Sequence, residues 1–258
     1  MSTEREERGG RPSTHEPERT EQPGLASIPR PPEGDYEWVY LWHWPIRAMH
    51  WAAAVAIVAL IVTGFYIGAP YFMTTGEPAN HYLMGWMRFI HFAAAGLLVA
   101  TGIVRVYWLF VGNKFESWRA LFPFRREDWV NMWKIVKHYM MVGDDEPEYM
   151  GHNPIQQVSY TGLYAVTVVM VLTGFAMYGQ ANPDGFFYAA FSWVNGLLGG
   201  VQYTRLVHHV LTWVFLIFIP IHVYLTIRAE LTESTGTVSS MVSGGRFLPR
   251  DEEFVDEE

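Results

Sequence analysis

Residues 205–230 read Arg205-Leu-Val-His208-His209-Val-Leu-Thr-Trp-Val-Phe-Leu-Ile-Phe-Ile-Pro220-Ile-His222-Val-Tyr-Leu-Thr-Ile-Arg228-Ala-Glu230. This apolar run is long enough to cross a bilayer as one helix, and arginines bound it at both ends. It carries three histidines. Polar side chains are costly inside a membrane, so those that occur there are candidates for function.

The spacing of these histidines sets their faces on the predicted helix. His208 and His222 are 14 residues apart, which is about 1,400° of rotation and within ~40° of a whole number of turns. They therefore share one face and lie ~21 Å apart along the axis. His209 points to a nearly opposite face. One helix thus offers two imidazoles on one side, one near each membrane surface, as two haems would require.

Composition limits the chemistry. The chain has 258 residues, of which 50% are hydrophobic and 16% aromatic, and it contains no cysteine. Disulfides, cysteine-ligated iron–sulfur clusters, thiolate haem ligation and covalent c-type haem are therefore excluded. Any haem must be bound non-covalently, with histidine as its natural ligand.

Charge is concentrated at the two ends of the chain. The net charge is −8, but residues 1–37 hold nine acids and residues 251–258 hold six. The body is near neutral, so the total gives no indication of a nucleic-acid partner. We expect residues 1–35 to be a disordered, acidic and proline-rich tail; they lack the apolar core of a signal peptide. Residues 36–230 are the predicted membrane domain, and residues 231–258 a cytoplasmic tail.

The hydropathy pattern predicts an all-α, four-helix transmembrane bundle in the cell membrane. The four spans are predicted at about 48–69, 85–111, 157–179 and 205–230. Residues 127–142 have the spacing of an amphipathic helix on the membrane surface, and 185–198 could form a short interfacial helix. The segment through Arg47 and the loop between spans two and three each hold six basic residues, whereas the other two loops hold none. The positive-inside rule therefore predicts cytoplasmic termini.

The predicted depth of each histidine in the membrane then divides four of them into two pairs. His50 begins an outward-running span and His222 lies in the cytoplasmic half of span four, so both lie near the inner surface. His91 and His208 each begin an inward-running span, so both lie near the outer surface. Two bis-histidine haems have no open coordination position, which suits electron transfer rather than oxygen chemistry. The alternative for any single histidine is a packed or hydrogen-bonded residue.

Arg105 follows His91 by 14 residues and shares its face, near the opposite surface. There an arginine could pair with haem propionates. Snorkelling of the side chain to lipid headgroups would explain it equally well.

From about Trp38 to Arg246 the sequence resembles the b-type cytochrome subunit of membrane-bound nickel–iron hydrogenases, which is related to the cytochrome b subunit of formate dehydrogenases. Together and in order, the motifs that carry the resemblance are Pro45-Ile-Arg47-x-x-His50-Trp51, Arg88-Phe-Ile-His91, Arg105-Val-Tyr-Trp108 with Gly112-Asn113, Gly151-His-Asn-Pro154, and His208-His209 with Ile221-His222-Val-Tyr224. The tail Gly236-Thr-Val-Ser-Ser-Met241 with Gly244-Gly245 is similar to the hydrogenase branch in particular.

The resemblance implies a function. Small and large hydrogenase subunits on the outer face would pass electrons to an outer haem b and then to an inner one. A membrane quinone would be reduced near the cytoplasmic surface, with proton uptake. The family's quinone pocket maps to Asn153, with His152 beside it; the alternative is that Asn153 only caps a helix. The subunit would transfer electrons without splitting hydrogen itself, and the complex could form a higher oligomer.

Two other interpretations remain open from the sequence. The same haems could serve formate dehydrogenase or another periplasmic oxidoreductase, although the C-terminal tail argues against this. A haem-free membrane anchor or transporter with structural histidines is the alternative of another class.

Overall fold

The computed structural model describes residues 34–72, 81–140, 142, 147–233, 235–250 and 254–256. All of the predicted N-terminal tail except Gly34 and Asp35 lies outside these residues. The described residues form seven α-helices and two short strands. In chain order they are β1 (Tyr36–Tyr40), α1 (Trp44–Gly68), α2 (Leu83–Val111), α3 (Arg126–Tyr139), α4 (Pro154–Gly179), α5 (Phe186–Leu197), α6 (Val201–Glu233), α7 (Thr237–Ser243) and β2 (Gly245–Pro249).

Four of the helices, α1, α2, α4 and α6, are long and apolar enough to cross a membrane. The predicted four-span architecture is confirmed, and each helix begins a few residues before the predicted start. Pro45 and Pro154 explain two of these earlier starts, because a proline in the first turn has no N–H to leave unpaired. The amphipathic segment and the short helix of the third loop are also helical, as α3 and α5.

The four spanning helices form two pairs. Close backbone contacts join α1 to α2 and α4 to α6. Within the described part of the chain, side chains make the contacts between the pairs, such as Phe65 with His209 and Phe92 with Tyr178. Of the 29 residues of α2, only Ala94 is fully buried. Contacts between α2 and the second pair are therefore few and are made by long side chains, such as Phe92 with Tyr178.

The two ends of the bundle differ, and we name them by what they carry. The tail end bears β1, the connection from α2 to α4 and everything after α6. There β1 pairs antiparallel with β2, in a register that places Trp38 opposite Phe247. The loop end bears the α1–α2 connection and α5, whose aromatic side chains pack on α4 through contacts such as Phe175 with Phe187.

Residues 235–250 and 254–256, which we call the C-terminal strap, fold back over the tail end. Trp51 Nε1 donates to the Met241 carbonyl at 3.0 Å. The Asp256 carboxylate accepts from the backbone N–H groups of Met150 at 2.6 Å and Gly151 at 2.9 Å. The strap thus ties the start of α1 to the segment that leads into α4.

The surface helix α3 is held at the same end. Its buried side chains are Asp128 and Ile135, whereas Trp129 and Trp133 on another face are exposed. Asp128 accepts from the backbone N–H of Arg125 at 3.2 Å and so caps the helix start. This division between buried and exposed faces is the amphipathic character that the spacing predicted.

Candidate metal centres at the two ends of the bundle

At the loop end, the structure brings His91 of α2 and His208 of α6 near enough to interact electrostatically. Each ring also contacts a threonine of the neighbouring helix. The Oγ1 atom of Thr63 lies 2.9 Å from His91 Nδ1, and that of Thr173 lies 2.9 Å from His208 Nδ1. The two halves of the bundle therefore hold their histidines in the same way.

A glycine follows each of these threonines and makes room for the ring. A Cβ atom added at Gly64 would lie 3.3 Å from His91 Cε1, and one at Gly174 would lie 3.4 Å from His208 Cε1. Each imidazole therefore lies almost directly on the backbone of the adjacent helix. A larger residue at either glycine would push the ring away from this position.

At the tail end, His50 of α1 faces His222 of α6. Their ring centroids are 6.3 Å apart, with 57° between the ring planes. A metal–imidazole nitrogen bond is roughly 2 Å long, so two imidazoles that share one metal have centroids roughly 6 Å apart. His50 Nδ1 is buried and has no hydrogen-bond partner. The pair thus has the separation of two ligands on one ion.

Aromatic side chains hold this second pair. The His222 ring stacks on Phe218 at 5.4 Å with only 9° between the planes, and Tyr160 contacts it edge-on at 6.2 Å. Trp51 packs edge-on against His50 at 5.2 Å. The tail-end rings are therefore positioned by packing, whereas the loop-end rings are positioned by hydrogen bonds.

His209 has different neighbours from His208, in agreement with the predicted faces. Its ring packs edge-on against Phe65 at 5.4 Å and lies beside Gly68, both on α1. His208 instead contacts α4. The structure therefore leaves His209 outside both histidine pairs.

The donor set at each end fits a haem better than a bare ion. Among the described residues, no group of three or more His, Cys, Asp or Glu side chains could hold a metal. A haem supplies four in-plane nitrogens itself and needs only two axial ligands from the protein. Two imidazoles at each end, one from each helix pair, meet that requirement.

Arg105 lies at the tail end, where its guanidinium makes two hydrogen bonds within the protein. Its Nη1 donates to the Glu116 carbonyl at 2.8 Å, and its Nε donates to the Tyr164 hydroxyl at 3.3 Å. It lines a cavity of about 30 Å³ together with His152 and Gln157, large enough for roughly one water molecule. Gln157 Oε1 is buried and has no partner. The predicted propionate contact of Arg105 stays a prediction.

His152 is enclosed between aromatic rings, with Trp42 at 4.8 Å and Tyr160 at 5.0 Å. Burial, and to a smaller extent the positive charge of Arg105 and the nearby His222, lower the pKa of His152 to about 4. The ring is therefore neutral at pH 7 and can act as a hydrogen-bond donor or acceptor. Its predicted contact with quinone stays a prediction.

Asn153 is the N-cap of α4. Its Oδ1 accepts from the Gln156 backbone N–H at 3.0 Å, and the Gln156 side chain accepts from the Asn153 N–H at 3.0 Å. Its Nδ2 donates to the Tyr139 hydroxyl at 3.3 Å. The structure thus gives Asn153 the capping role that the sequence offered as the alternative, while its predicted contact with quinone stays a prediction.

Sequence analysis missed a buried carboxylate at the tail end. Glu116 is 1% exposed, and its side chain accepts from the His43 backbone N–H at 2.6 Å, from His43 Nδ1 at 2.9 Å and from Trp108 Nε1 at 2.8 Å. It joins the start of α1 to the end of α2 and offers its carbonyl to Arg105. The sequence shows it only as one acid in a loop.

Comparison with known proteins identifies relatives over the same region. Residues 41–244 match the family model described as prokaryotic cytochrome b561. A protein of Azotobacter vinelandii named probable Ni/Fe-hydrogenase B-type cytochrome subunit is 38% identical over 83% of this chain and 90% of its own length. A Cupriavidus necator protein of that name is 37% identical over 80% and 86%. An Escherichia coli K12 protein named probable Ni/Fe-hydrogenase 1 B-type cytochrome subunit is 29% identical over 80% and 90%.

Proposed function

The chain belongs to the prokaryotic cytochrome b561 family, and on that premise we propose that it is the di-haem electron-transfer subunit of a membrane-bound nickel–iron hydrogenase. The observation that carries the proposal is the presence of two histidine pairs, one at each end of the bundle, with one member of each on α6. Haem b in both pairs would provide a reversible one-electron change of iron on each side of the membrane.

Each histidine has a defined part in this proposal. His91 and His208 would hold the loop-end haem, and His50 and His222 would hold the tail-end haem. Two histidines on each iron would leave no position open for oxygen or other small ligands, which would favour electron transfer.

The orientation in this proposal rests on the asymmetry in charge. The basic residues of the α2–α4 connection support a cytoplasmic position for the tail end by the positive-inside rule. The loop end then faces outward and receives electrons from the hydrogenase small subunit, which is paired with the nickel-containing large subunit. With no cysteine to ligate nickel, this chain carries electrons and does not activate hydrogen.

At the tail end the polar groups support a quinone site. Arg105 and His152 lie beside a small cavity close to the tail-end histidine pair, and Asn153 is the N-cap of α4 at the same end. Arg105 would neutralise a haem propionate at this end. The neutral His152 ring can donate to a quinone carbonyl, and the cavity provides room for a water through which a proton could arrive.

The proposal is tested with the chain co-expressed with hydrogenase small and large subunits. We expect the three to copurify in detergent, hydrogen to reduce the haems, and added quinone to reoxidise them. A His208→Ala variant is the control, because loss of the loop-end haem should stop hydrogen-driven reduction of the other. Haems that fill normally but do not respond to hydrogen in the copurified complex would contradict the assignment to hydrogenase.

A further inference from the structure

Thr63 and Thr173 occupy equivalent places in the two helix pairs. Each hydroxyl donates to the backbone carbonyl one turn earlier, Thr63 to Ala59 at 2.6 Å and Thr173 to Val169 at 2.7 Å. Each also lies 2.9 Å from the Nδ1 of a loop-end histidine. The same geometry occurs twice, on helices more than 100 residues apart in the chain.

The number of protons available to each threonine hydroxyl determines which nitrogen of each imidazole ring is protonated. A threonine hydroxyl has one proton to donate, and here a carbonyl receives it. The hydroxyl oxygen can then only accept from the imidazole, so Nδ1 must carry the ring proton. Each Nε2 is left with its lone pair available for a metal.

At the tail end, no described residue makes an equivalent contact with His50. The Nδ1 of that ring is buried without a hydrogen-bond partner among the described residues, and His222 is held by stacking on Phe218. A hydrogen bond that accepts from the far nitrogen of a ligating imidazole makes the ring more basic. A more basic ligand stabilises the oxidised, more positive iron.

We propose that Thr63 and Thr173 are a matched pair of positioning residues that fix the Nδ1–H form of His91 and His208 and hold the loop-end haem at a lower reduction potential than the tail-end haem. The proposal rests on the di-haem function proposed above. One electron passing from the loop end to the tail end oxidises one iron, reduces the other and breaks no bond. The threonines therefore make transfer toward the tail end downhill.

The test is an optical redox titration of the purified holoprotein, with electron paramagnetic resonance of the ferric haems. Thr63→Val and Thr173→Val should each raise one midpoint potential, and the double variant should raise it further, while the other midpoint stays unchanged. The low-field resonance of one haem should shift with it. Serine keeps the hydroxyl, so Thr63→Ser and Thr173→Ser should retain the parental midpoint and spectrum.

Thr167→Val is the matched control. Thr167 is on α4 and donates to the Leu163 carbonyl one turn earlier at 2.8 Å, and this hydrogen bond involves no histidine. This variant should change neither midpoint. A shift as large as that of Thr173→Val would show that the loss of any buried hydroxyl on α4 is responsible and would overturn the proposal.

The other possible results of the titration also support or overturn the proposal. Valine variants that keep two haems with unchanged midpoints would overturn the proposal, as would equal shifts of both midpoints. Where valine abolishes haem binding, serine variants with parental haem content and midpoint support the hydroxyl's role, and serine variants that also lose haem contradict it. A wild-type protein with fewer than two haems would instead refute the di-haem function, which is a separate result.

Discussion

The two ends of the bundle hold their histidines by different means. At the loop end, His91 and His208 each bond to a threonine and lie against a glycine of the neighbouring helix. At the tail end, His50 and His222 are held by aromatic packing, beside a small polar cavity and beneath a folded strap.

In the proposed function this difference corresponds to a division of labour between the ends. Hydrogen bonds hold the loop-end rings, and electron transfer would need nothing more. Quinone reduction would also need protons, and Arg105 and His152, which could orient a quinone or a water, lie beside the tail-end cavity.

The largest effect should come from the ligands themselves. His208→Ala removes one axial ligand of the loop-end haem, so haem content should fall from two per chain to one. His209→Ala should leave both haems, because His209 faces α1 rather than the histidine pair. Haem content measured on the two purified variants checks this. Equal loss from both would show that the assignment of faces is wrong.

A second large effect is expected at Glu116, which belongs to the tail end only. Glu116→Ala leaves the Trp108 and His43 donors without their acceptor, at a cost of about 1–3 kcal/mol for a buried group left unsatisfied. We expect a lower midpoint of thermal haem release, with the tail-end haem lost first. Glu127→Gln on exposed α3 is the control. Release of the loop-end haem before the tail-end haem would contradict the prediction that Glu116 stabilises the tail end only.

Arg105→Gln should change the midpoint potential of the tail-end haem without removing either haem. A positive charge near the tail-end iron favours the reduced, less positive state of that iron. Its loss should therefore lower the midpoint potential of the tail-end haem. Arg88→Gln, at an exposed position near the loop end, should leave the tail-end midpoint unchanged. Redox titration of both variants measures the shifts. A tail-end midpoint that does not respond to Arg105→Gln would place the guanidinium too far from the haem to bind a propionate.

The smallest effect separates two roles of Asn153. Asn153→Ala should cost about 1 kcal/mol through the lost cap and should slow quinone reduction while hydrogen-driven haem reduction continues. Asn153→Ser restores a good N-cap but lacks the amide. Steady-state quinone reduction by the two variants distinguishes the roles. A serine variant with the wild-type rate would assign Asn153 to capping alone, and an unchanged rate in both would place the quinone pocket elsewhere.

The spans and the pairing of the histidines could be predicted because both depend on local patterns. Each span is an apolar run of sufficient length, and the 14-residue spacing of His208 and His222 fixes their common face within one helix. Depth in the membrane then limits which histidines can meet. His50 and His222 do face each other in the folded chain.

The supporting contacts could not be predicted because their partners are far apart in sequence. Thr63 and Thr173 each stand in the sequence Thr-Gly-Phe within a span, but only the fold shows that each hydroxyl meets a histidine. The pairing of β1 with β2 joins strands at opposite ends of the chain, and no local pattern specifies it. Glu116 lies in a connection whose burial depends on both α1 and α2.

The most direct test of the central claim is a pyridine haemochrome assay on the purified membrane protein, with the protein quantified independently. Two haems b per chain are predicted, one for each histidine pair. One haem would leave one pair unused, and His50→Ala and His91→Ala would then show which end is occupied. No haem would contradict the account and return the chain to a membrane anchor with buried histidines.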